Sequence, residues 1–588
     1  MSSGKEASQF VWQRLLPFLG WIGELRDSSR LRADAIAGIT VALVLIPQSM
    51  AYAQLAGLPP RFGLYAAFWP PIVAALFGSS RQLSTGPVAV VSLMTAAALE
   101  PLAVAGSEGF LAYAILLAML VGLFQLCLGL LRLGVLVDLL SHPVVLGFTN
   151  AGALIIASSQ LDKFFGVSVE KGVQHYETIW NTLVVAVEHS HGFTLAMGLL
   201  ALAIMIGLMK FAPRVPAVLV AVVVTTLLSW VTDFHGAGGG IVGAIPAGLP
   251  PFGVPVFDGD IIGQLFSSAV VIALIGFMEA ISIAKAMAAR SRHRLDANQE
   301  LIGQGLSNIA SGLFSGYPVS GSFSRSAINI NAGAVSGFSS VIAGLAVGAT
   351  LLWLTPLLYH LPQVTLAAVI VMAVVRLIQI APMIHIWKVQ RHDGIVALTT
   401  FVLTLLLAPH IDYGILAGVG LSLVLFLLRT MRPRLAVLSR YPDGTLRDVA
   451  IYDLPTSEYI SVIRFDGALY FANAGYFENQ VLEVEAANPK LRFLIIDGGG
   501  ISQIDATGEE VLRHLVRRLH DAGIEVLMAR TKKQIVDKLK HNGLVDHLGK
   551  NKFFPRIKFA LEYAWEQLGD EYDSANCPLR RRGTARPE

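Results

Sequence analysis

Two cysteines in 588 residues, Cys127 inside an apolar run and Cys577 in a polar tail, are too few for a disulfide framework or a thiolate metal site. Redox chemistry and a bound metal are not expected. Charge is scarce as well: Asp, Glu, Lys and Arg make up 14% of the chain, where a water-soluble protein carries about a quarter. The charges nearly cancel, 44 Lys and Arg against 41 Asp and Glu, so no bulk positive field draws the chain to nucleic acid. Apolar residues take their place, at 54%. Such a chain has lipid, not water, as its main solvent.

Roughly half of the charged residues follow Met431, while residues 35–430 form a succession of apolar stretches near bilayer-spanning length. Residues 1–34 mix charge with Val11, Trp12, Leu15, Leu16, Phe18 and Trp21, the pattern of an amphipathic cytoplasmic helix at the membrane surface, not of a cleavable signal peptide. Breaks at charged, Gly and Pro residues place fourteen spans near 35–53, 63–78, 86–99, 110–130, 135–160, 193–211, 216–231, 265–285, 297–315, 324–334, 337–359, 364–377, 394–408 and 412–429. Alternating sides from a cytoplasmic N-terminus gathers most loop arginines and lysines on one face and most loop acids on the other, the bias that orients membrane proteins. Both termini are therefore expected in the cytoplasm, beneath a bacterial inner membrane or a plasma membrane.

Two spans are too short to cross. The third, 86–99, follows Ser84-Thr85, and the tenth, 324–334, follows Pro318-Val319-Ser320-Gly321-Ser322; at 1.5 Å per residue they rise only about 17–21 Å against a hydrocarbon core of roughly 30 Å. They read as half-helices seven passes apart, and an offset of seven inverts one half of the chain relative to the other. Paired interrupted segments in two inverted halves point to a transporter's midplane site; the plainer alternative is a pair of short packing segments.

Arg325 opens the second half-helix among small and apolar residues. A buried guanidinium costs several kcal/mol and is seldom left without a partner or a ligand. Two helix N-termini facing it would add unpaired N–H groups and partial positive charge, making an anion site; a permanent carboxylate partner, or snorkelling to an interface, is the competing reading. Asp138 lies near a span end, which leaves Glu279 as the acid well inside a strongly apolar span. Burial and a nearby guanidinium pull its protonation in opposite senses, so Glu279 is the candidate proton carrier. With a dianion about 8 Å away, neutralising it would relieve roughly 4 kcal/mol at an effective dielectric near 20. A static Glu279–Arg325 bridge is the alternative. In the first span Pro47 loosens the helix beside Gln48 and Tyr52, four residues apart on one face, where an amide and a phenol can donate to oxyanion oxygens or simply pack.

Asp34–Gly38, Ile46–Ala53, Leu55–Tyr65, Gly78–Arg81, Thr85–Leu93 and the stretch around Arg325 together resemble the SulP anion transporters over nearly the whole chain. The resemblance implies a polytopic α-helical membrane protein of fourteen spans as a seven-plus-seven inverted repeat with core and gate domains, a homodimer, and an anion site between the third and tenth helices, where Val88 and Ala89 face Ser324 and Arg325. Gln48, Tyr52, Glu279, Ser324 and Arg325 look most like the proton-coupled sulfate branch, in which the matching residues hold sulfate and the matching Glu takes the proton. Relatives that carry bicarbonate with sodium tend to have Asp where Glu279 stands and lack the Phe323-Ser324-Arg325-Ser326 run. Dicarboxylate carriers can share the Glu. Proton-coupled sulfate symport by alternating access is therefore the expected function, with sodium-coupled bicarbonate transport, proton-coupled dicarboxylate transport, an exchanger or a channel as alternatives. An enzyme is not expected, since the midplane set has no His to complete a triad, and no cofactor is implied.

Beyond Arg440 the pattern changes to β-like runs at 459–464, 469–472, 493–497 and 525–529, alternating with helices near 475–486, 506–521 and 531–541. A cytoplasmic α/β domain over 441–569 and a polar tail over 570–588 follow. Ile495-Ile496-Asp497 with Ile504-Asp505-Ala506-Thr507-Gly508 resembles the STAS domain of the same family and of anti-sigma-factor antagonists. Those antagonists are phosphorylated on a hydroxyl residue directly after the matching Asp, where Ala506 stands here; helix capping by Asp505 or Thr507 is the simpler reading. With no Lys-bearing phosphate loop, nucleotide hydrolysis is not expected. Arg580-Arg581-Arg582 reads as a solvated or lipid-facing end.

Overall fold

The computed structural model describes residues 16–135, 141–170, 172, 174–212, 215–255, 257–375, 377–569 and 576–580. Val11, Trp12 and Leu15 of the expected surface helix, Asp138, and Arg581-Arg582 lie outside them. The chain divides into two compact units, Met1–Ser422 and Leu423–Glu588.

Helices occupy the positions of all the expected spans. In chain order they are α1 (Ser28–Leu55), α2 (Pro60–Phe77), α3 (Ala89–Leu99), α4 (Glu108–Leu130), α5 (His142–Ser158), α6 (Gly192–Phe211), α7 (Ala217–Val231), α8 (Gly259–Ser291), α9 (Ala297–Leu313), α10 (Phe323–Asn331), α11 (Phe338–Ala349), α12 (Gln363–Val375), α13 (Arg391–Leu406) and α14 (Ile411–Met431). Among the described residues, eight helical stretches are long and apolar enough to cross a membrane. α1 starts earlier than hydropathy suggests because Asp27 caps it, accepting from Ser29 N at 2.9 Å; a charged first turn counts against a span in hydropathy but not in helix formation. Residues 19–26 hold two short helical turns, Leu19–Ile22 and Gly23–Arg26. Helices at Leu161–Phe165, His175–His189 and Ile380–Val389 were not anticipated.

Helix contacts sort the first unit into two groups. α1, α2, α4, α8, α9 and α11 pack among themselves around the two half-helices α3 and α10, and α6 packs on α7 and α12 while α13 packs on α5. These groups correspond to the core and gate expected from the resemblance. α7 buries Thr225 and Ser229 and exposes Val223, Leu227 and Trp230, the reverse of a helix in water and the arrangement a lipid boundary favours. In the core group small residues bring backbones together: a Cβ on Gly63 would stand 1.9 Å from Ser49 O, and one on Gly303 2.5 Å from Gly78 Cα.

The two short helices are each entered through a strand. β1 (Ser84–Gly86) pairs antiparallel with β2 (Ser320–Ser322). Hydropathy gives no hint of this ribbon.

The second unit is α/β. β3 (Leu435–Arg440), β4 (Leu446–Asp448), β5 (Ile460–Phe465), β7 (Phe493–Asp497), β9 (Glu525–Ala529) and β10 (Phe553–Phe554) form one sheet in the order β10-β9-β7-β5-β3-β4, and β6 (Gly467–Leu469) pairs with β8 (Ile501–Ile504). Period-two alternation covers both faces: Ile463, Phe465, Leu494, Ile496, Val526 and Met528 meet α15 (Ala474–Ala487), α16 (Ala506–Asp521) and α17 (Lys533–His541), and Val462, Ile495 and Leu527 meet α18 (Ile557–Leu568). The run expected at 469–472 is shifted to β6, and β3, β4, β8, β10 and α18 were not read from the sequence.

Candidate functional site

The ribbon sets the site. Ser84 lies opposite Ser322, Thr85 opposite Gly321 and Gly86 opposite Ser320, so the chain leaves in opposite directions into α3 and α10. Val88 takes extended backbone before α3, whose first residue is Ala89, and no side chain caps that end. Its first N–H groups are the kind that bind anions. α10 is capped by Ser322, whose Oγ accepts from Arg325 N at 3.5 Å.

Arg325 is fully buried. Its Nη1 donates to Pro87 O at 2.9 Å and its Nε to Ser84 Oγ at 3.4 Å. Both partners are neutral and both belong to the segment that opens α3, so the guanidinium of one half-helix is tied to the other. The remaining nitrogen, Nη2, is buried with no hydrogen-bond partner, and among the described residues no carboxylate pairs with Arg325. Gly86 makes room for this head group: its φ is +154°, a backbone that L side chains rarely adopt, and an added Cβ would stand 3.3 Å from Nη2.

Around it lie most of the residues singled out by sequence. Glu279 on α8 has an Oε2 that is buried and without a partner, and Glu279, Tyr52 and Tyr317 are all near enough to Arg325 to interact electrostatically with it. Tyr52 and Gln48 are buried on α1, and Gln48 Oε1 has no partner. Ser324 is half-buried, with its Oγ 3.4 Å from Ser322 Oγ. Val88 and Ala89 stand at the opening of α3. Tyr317 was not anticipated; its hydroxyl meets Ser92 Oγ on α3 at 3.1 Å.

Glu279 is not the most deeply buried acid. Asp34 and Glu300 are 0% and 1% exposed, and hydropathy passes over both because they sit near the N-terminal ends of α1 and α9. Each is saturated with donors: Asp34 accepts from Val335 N, Ser336 N and Ser336 Oγ at 2.7, 3.1 and 2.5 Å, and Glu300 Oε2 accepts from Ser79 N, Ser80 N and Ser79 Oγ at 2.9, 2.9 and 3.1 Å. Glu279 alone of the three presents an unmet acceptor. A buried cation with a vacant N–H, beside an uncapped helix N-terminus and an unpaired carboxyl, can hold an oxyanion and a proton together.

In the second unit Asp505 caps α16, accepting from Gly508 N at 2.7 Å, and its other oxygen accepts from Phe471 N at 2.9 Å. Asp505, not Thr507, is the cap; Thr507 is exposed.

Residues 31–400 match the sulfate permease family, and residues 452–560 match the STAS domain. The chain is 37% identical over 569 residues to sulfate transporter 4.1, chloroplastic, of Arabidopsis thaliana, covering 93% of this chain and 82% of that protein. It is 37% identical over 553 residues to a probable sulfate transporter of Mycobacterium tuberculosis, covering 92% and 98%. Its fold resembles the solved structure of SLC26A9, with a TM-score of 0.87 at 24% identity over 97% of this chain and 96% of that one. The transmembrane domain of the cyanobacterial bicarbonate transporter BicA matches 67% of this chain and 97% of its own length, at 26% identity and a TM-score of 0.56.

Proposed function

The chain belongs to the sulfate permease family and carries a STAS domain over residues 452–560, and from that premise we propose that it is a proton-coupled sulfate symporter working by alternating access. It acts as a homodimer in a bacterial inner membrane or a plasma membrane, with both termini cytoplasmic, residues 35–430 as the transport domain and 441–569 as the STAS domain. The observation that carries this reading is the buried, unpartnered Nη2 of Arg325 between two helix openings.

Sulfate is tetrahedral, doubly charged and rich in acceptors. In this reading Arg325 Nη2 and the first N–H groups of α3, at Val88 and Ala89, meet its oxygens, and Ser324 and Tyr52 donate hydroxyls. Gln48 donates too, through its amide Nε2. Glu279 repels the dianion while ionised and admits it when protonated. Proton and sulfate therefore bind together, and the empty carrier, with Arg325 and Glu279 both charged, returns with a balanced pocket.

The test is uptake of labelled sulfate, bicarbonate and succinate into proteoliposomes, each with an imposed proton or sodium gradient. Sulfate uptake driven by an inward proton gradient and abolished in Glu279→Gln is the expected result. Sodium-driven bicarbonate uptake would replace this reading, bicarbonate being the anion of BicA, whose transmembrane domain this fold resembles, and currents surviving Glu279→Gln would mark a channel.

A further inference from the structure

A two-stranded ribbon inside a membrane has two outer edges whose N–H and C=O groups have no strand beyond them. α9 braces the ribbon from the side, at the Thr85 side chain and at the segments that lead into β1 and β2. At three- and four-residue spacing, which keeps side chains on one face, it carries Glu300, Gln304, Ser307, Asn308 and Ser311, none more than 1% exposed. Glu300 fixes the Ser79-Ser80 turn that leads into β1. Gln304 Nε2 donates to Thr85 Oγ1, at the centre of β1, at 2.9 Å. Asn308 answers both backbone groups of Val319, the residue before β2: Oδ1 accepts its N–H at 2.8 Å and Nδ2 donates to its C=O at 3.1 Å, as a peptide group of a third strand would. Nδ2 also donates to Gln125 Oε1 at 3.0 Å, and Gln125 Nε2 donates to Ala273 O on α8 at 2.9 Å. Ser311 Oγ donates to Tyr317 O at 2.7 Å. One helix thus grips the approach to both half-helices.

We propose that Gln304 and Asn308 are positioning residues of the anion site: they hold β1 and β2 where the opening of α3 and Arg325 can meet one ligand, and they do not touch that ligand themselves. This rests on the reading of the pocket as the site of the transported anion. Dispersion packing between helices resists compression but tolerates sliding, whereas a bidentate amide fixes the ribbon along its length. A displacement near 1 Å is enough to separate the vacant N–H of Arg325 from the N–H groups of α3.

The test compares sulfate KM, maximal uptake rate and thermal stability for the full-length protein in proteoliposomes. Gln304→Met and Thr85→Val each raise KM roughly tenfold while the maximal rate changes less. The double variant is no worse than Gln304→Met, which breaks the contact with Thr85 and also the Gln304 Nε2 bond to Glu300 Oε1, and Thr85→Ser, which keeps the hydroxyl, restores the native KM. Asn308→Leu raises KM further. Should that variant fail to fold, Gln125→Met, which removes the acceptor that orients the Asn308 amide together with the bond to Ala273 O, carries the same expectation in milder form. Unchanged KM in folded variants, or a loss of stability with native KM, overturns the proposal. Arg325→Ala, run in parallel, separates the two failures. Retained sulfate affinity in that variant defeats the anion-site reading itself, while lost affinity there beside native affinity in the α9 variants defeats only the positioning role.

Discussion

Arg325 stands out in the sequence because a cation among apolar residues demands a reason, and its burial bears that out. How it is held is not written there. Ser84 and the carbonyl of Pro87, its two fixed partners, lie about 240 residues away in the chain, and a serine or a carbonyl carries no signal at a distance. The partners also explain why charge alone is not enough at this position. Arg325→Lys keeps the charge but loses the fork that reaches both groups; it is expected to cost about 1–3 kcal/mol of sulfate binding, measured as Kd on folded protein. Gly86→Ala is the companion case. Its backbone is one that alanine avoids, and the new methyl would stand 3.3 Å from Nη2, so strain of about 1–3 kcal/mol is expected. The readout is a raised sulfate KM together with a lowered thermal midpoint, and a variant with native values on both would remove the steric role given to Gly86. Glu279 was legible for the same reason as Arg325, whereas Tyr317 and Ser92 were not, because a tyrosine and a serine in a membrane helix are ordinary packing residues.

At the scale of elements, what matters most are the contacts that tie one segment to another. Asp34 anchors α1 to the turn before α11 through three donors. Asp34→Ala leaves those donors buried and unmet, and a loss of roughly 3 kcal/mol or more is expected, seen as a lowered unfolding midpoint of the full chain, with Asp34→Asn intermediate. In the second unit Asp505 holds both the start of α16 and Phe471 N. Removing a cap costs about 1 kcal/mol, so Asp505→Ala is expected to speed amide exchange in the first turn of α16 and at Phe471 in the intact protein, leaving β7 protected. Exchange unchanged at those amides would contradict the capping role. The apolar runs that became β5, β7 and β9 were readable because a sheet covered on both faces demands apolar residues at successive positions. β4, β8 and β10 are four residues or shorter, too short to show a period, and β1 and β2 consist of serine, threonine and glycine, which sequence alone assigns to turns.

For the whole molecule, the proposed transport cycle requires the group built around α1–α4 and α8–α11 to move against the group built around α5–α7 and α12–α14. Leu93 on α3 and Gly152 on α5 meet across that boundary, a Cβ on Gly152 standing 3.7 Å from Leu93 Cδ2. With Cys127 changed to Ser, Leu93→Cys and Gly152→Cys joined by a short bifunctional thiol reagent are expected to stop sulfate uptake while sulfate binding persists, and cleavage of the link should restore uptake. Uptake undiminished by a complete cross-link would rule out relative motion there. The sequence by itself determined that the chain lives in lipid, that it carries an α/β domain after its spans, and that two broken helices, one arginine and one glutamate were out of place in an apolar setting. Composition and periodicity suffice for these, because each is a local departure from what lipid or water tolerates. Only the tertiary structure decided that β1 and β2 pair, that α9 grips Thr85 and the segment entering β2, and that Arg325 is held by neutral groups with one nitrogen left over. Those facts depend on polar contacts between residues some eleven to 240 positions apart, and no pattern along a single chain records which serine, asparagine or carbonyl the fold will bring within three ångströms of another.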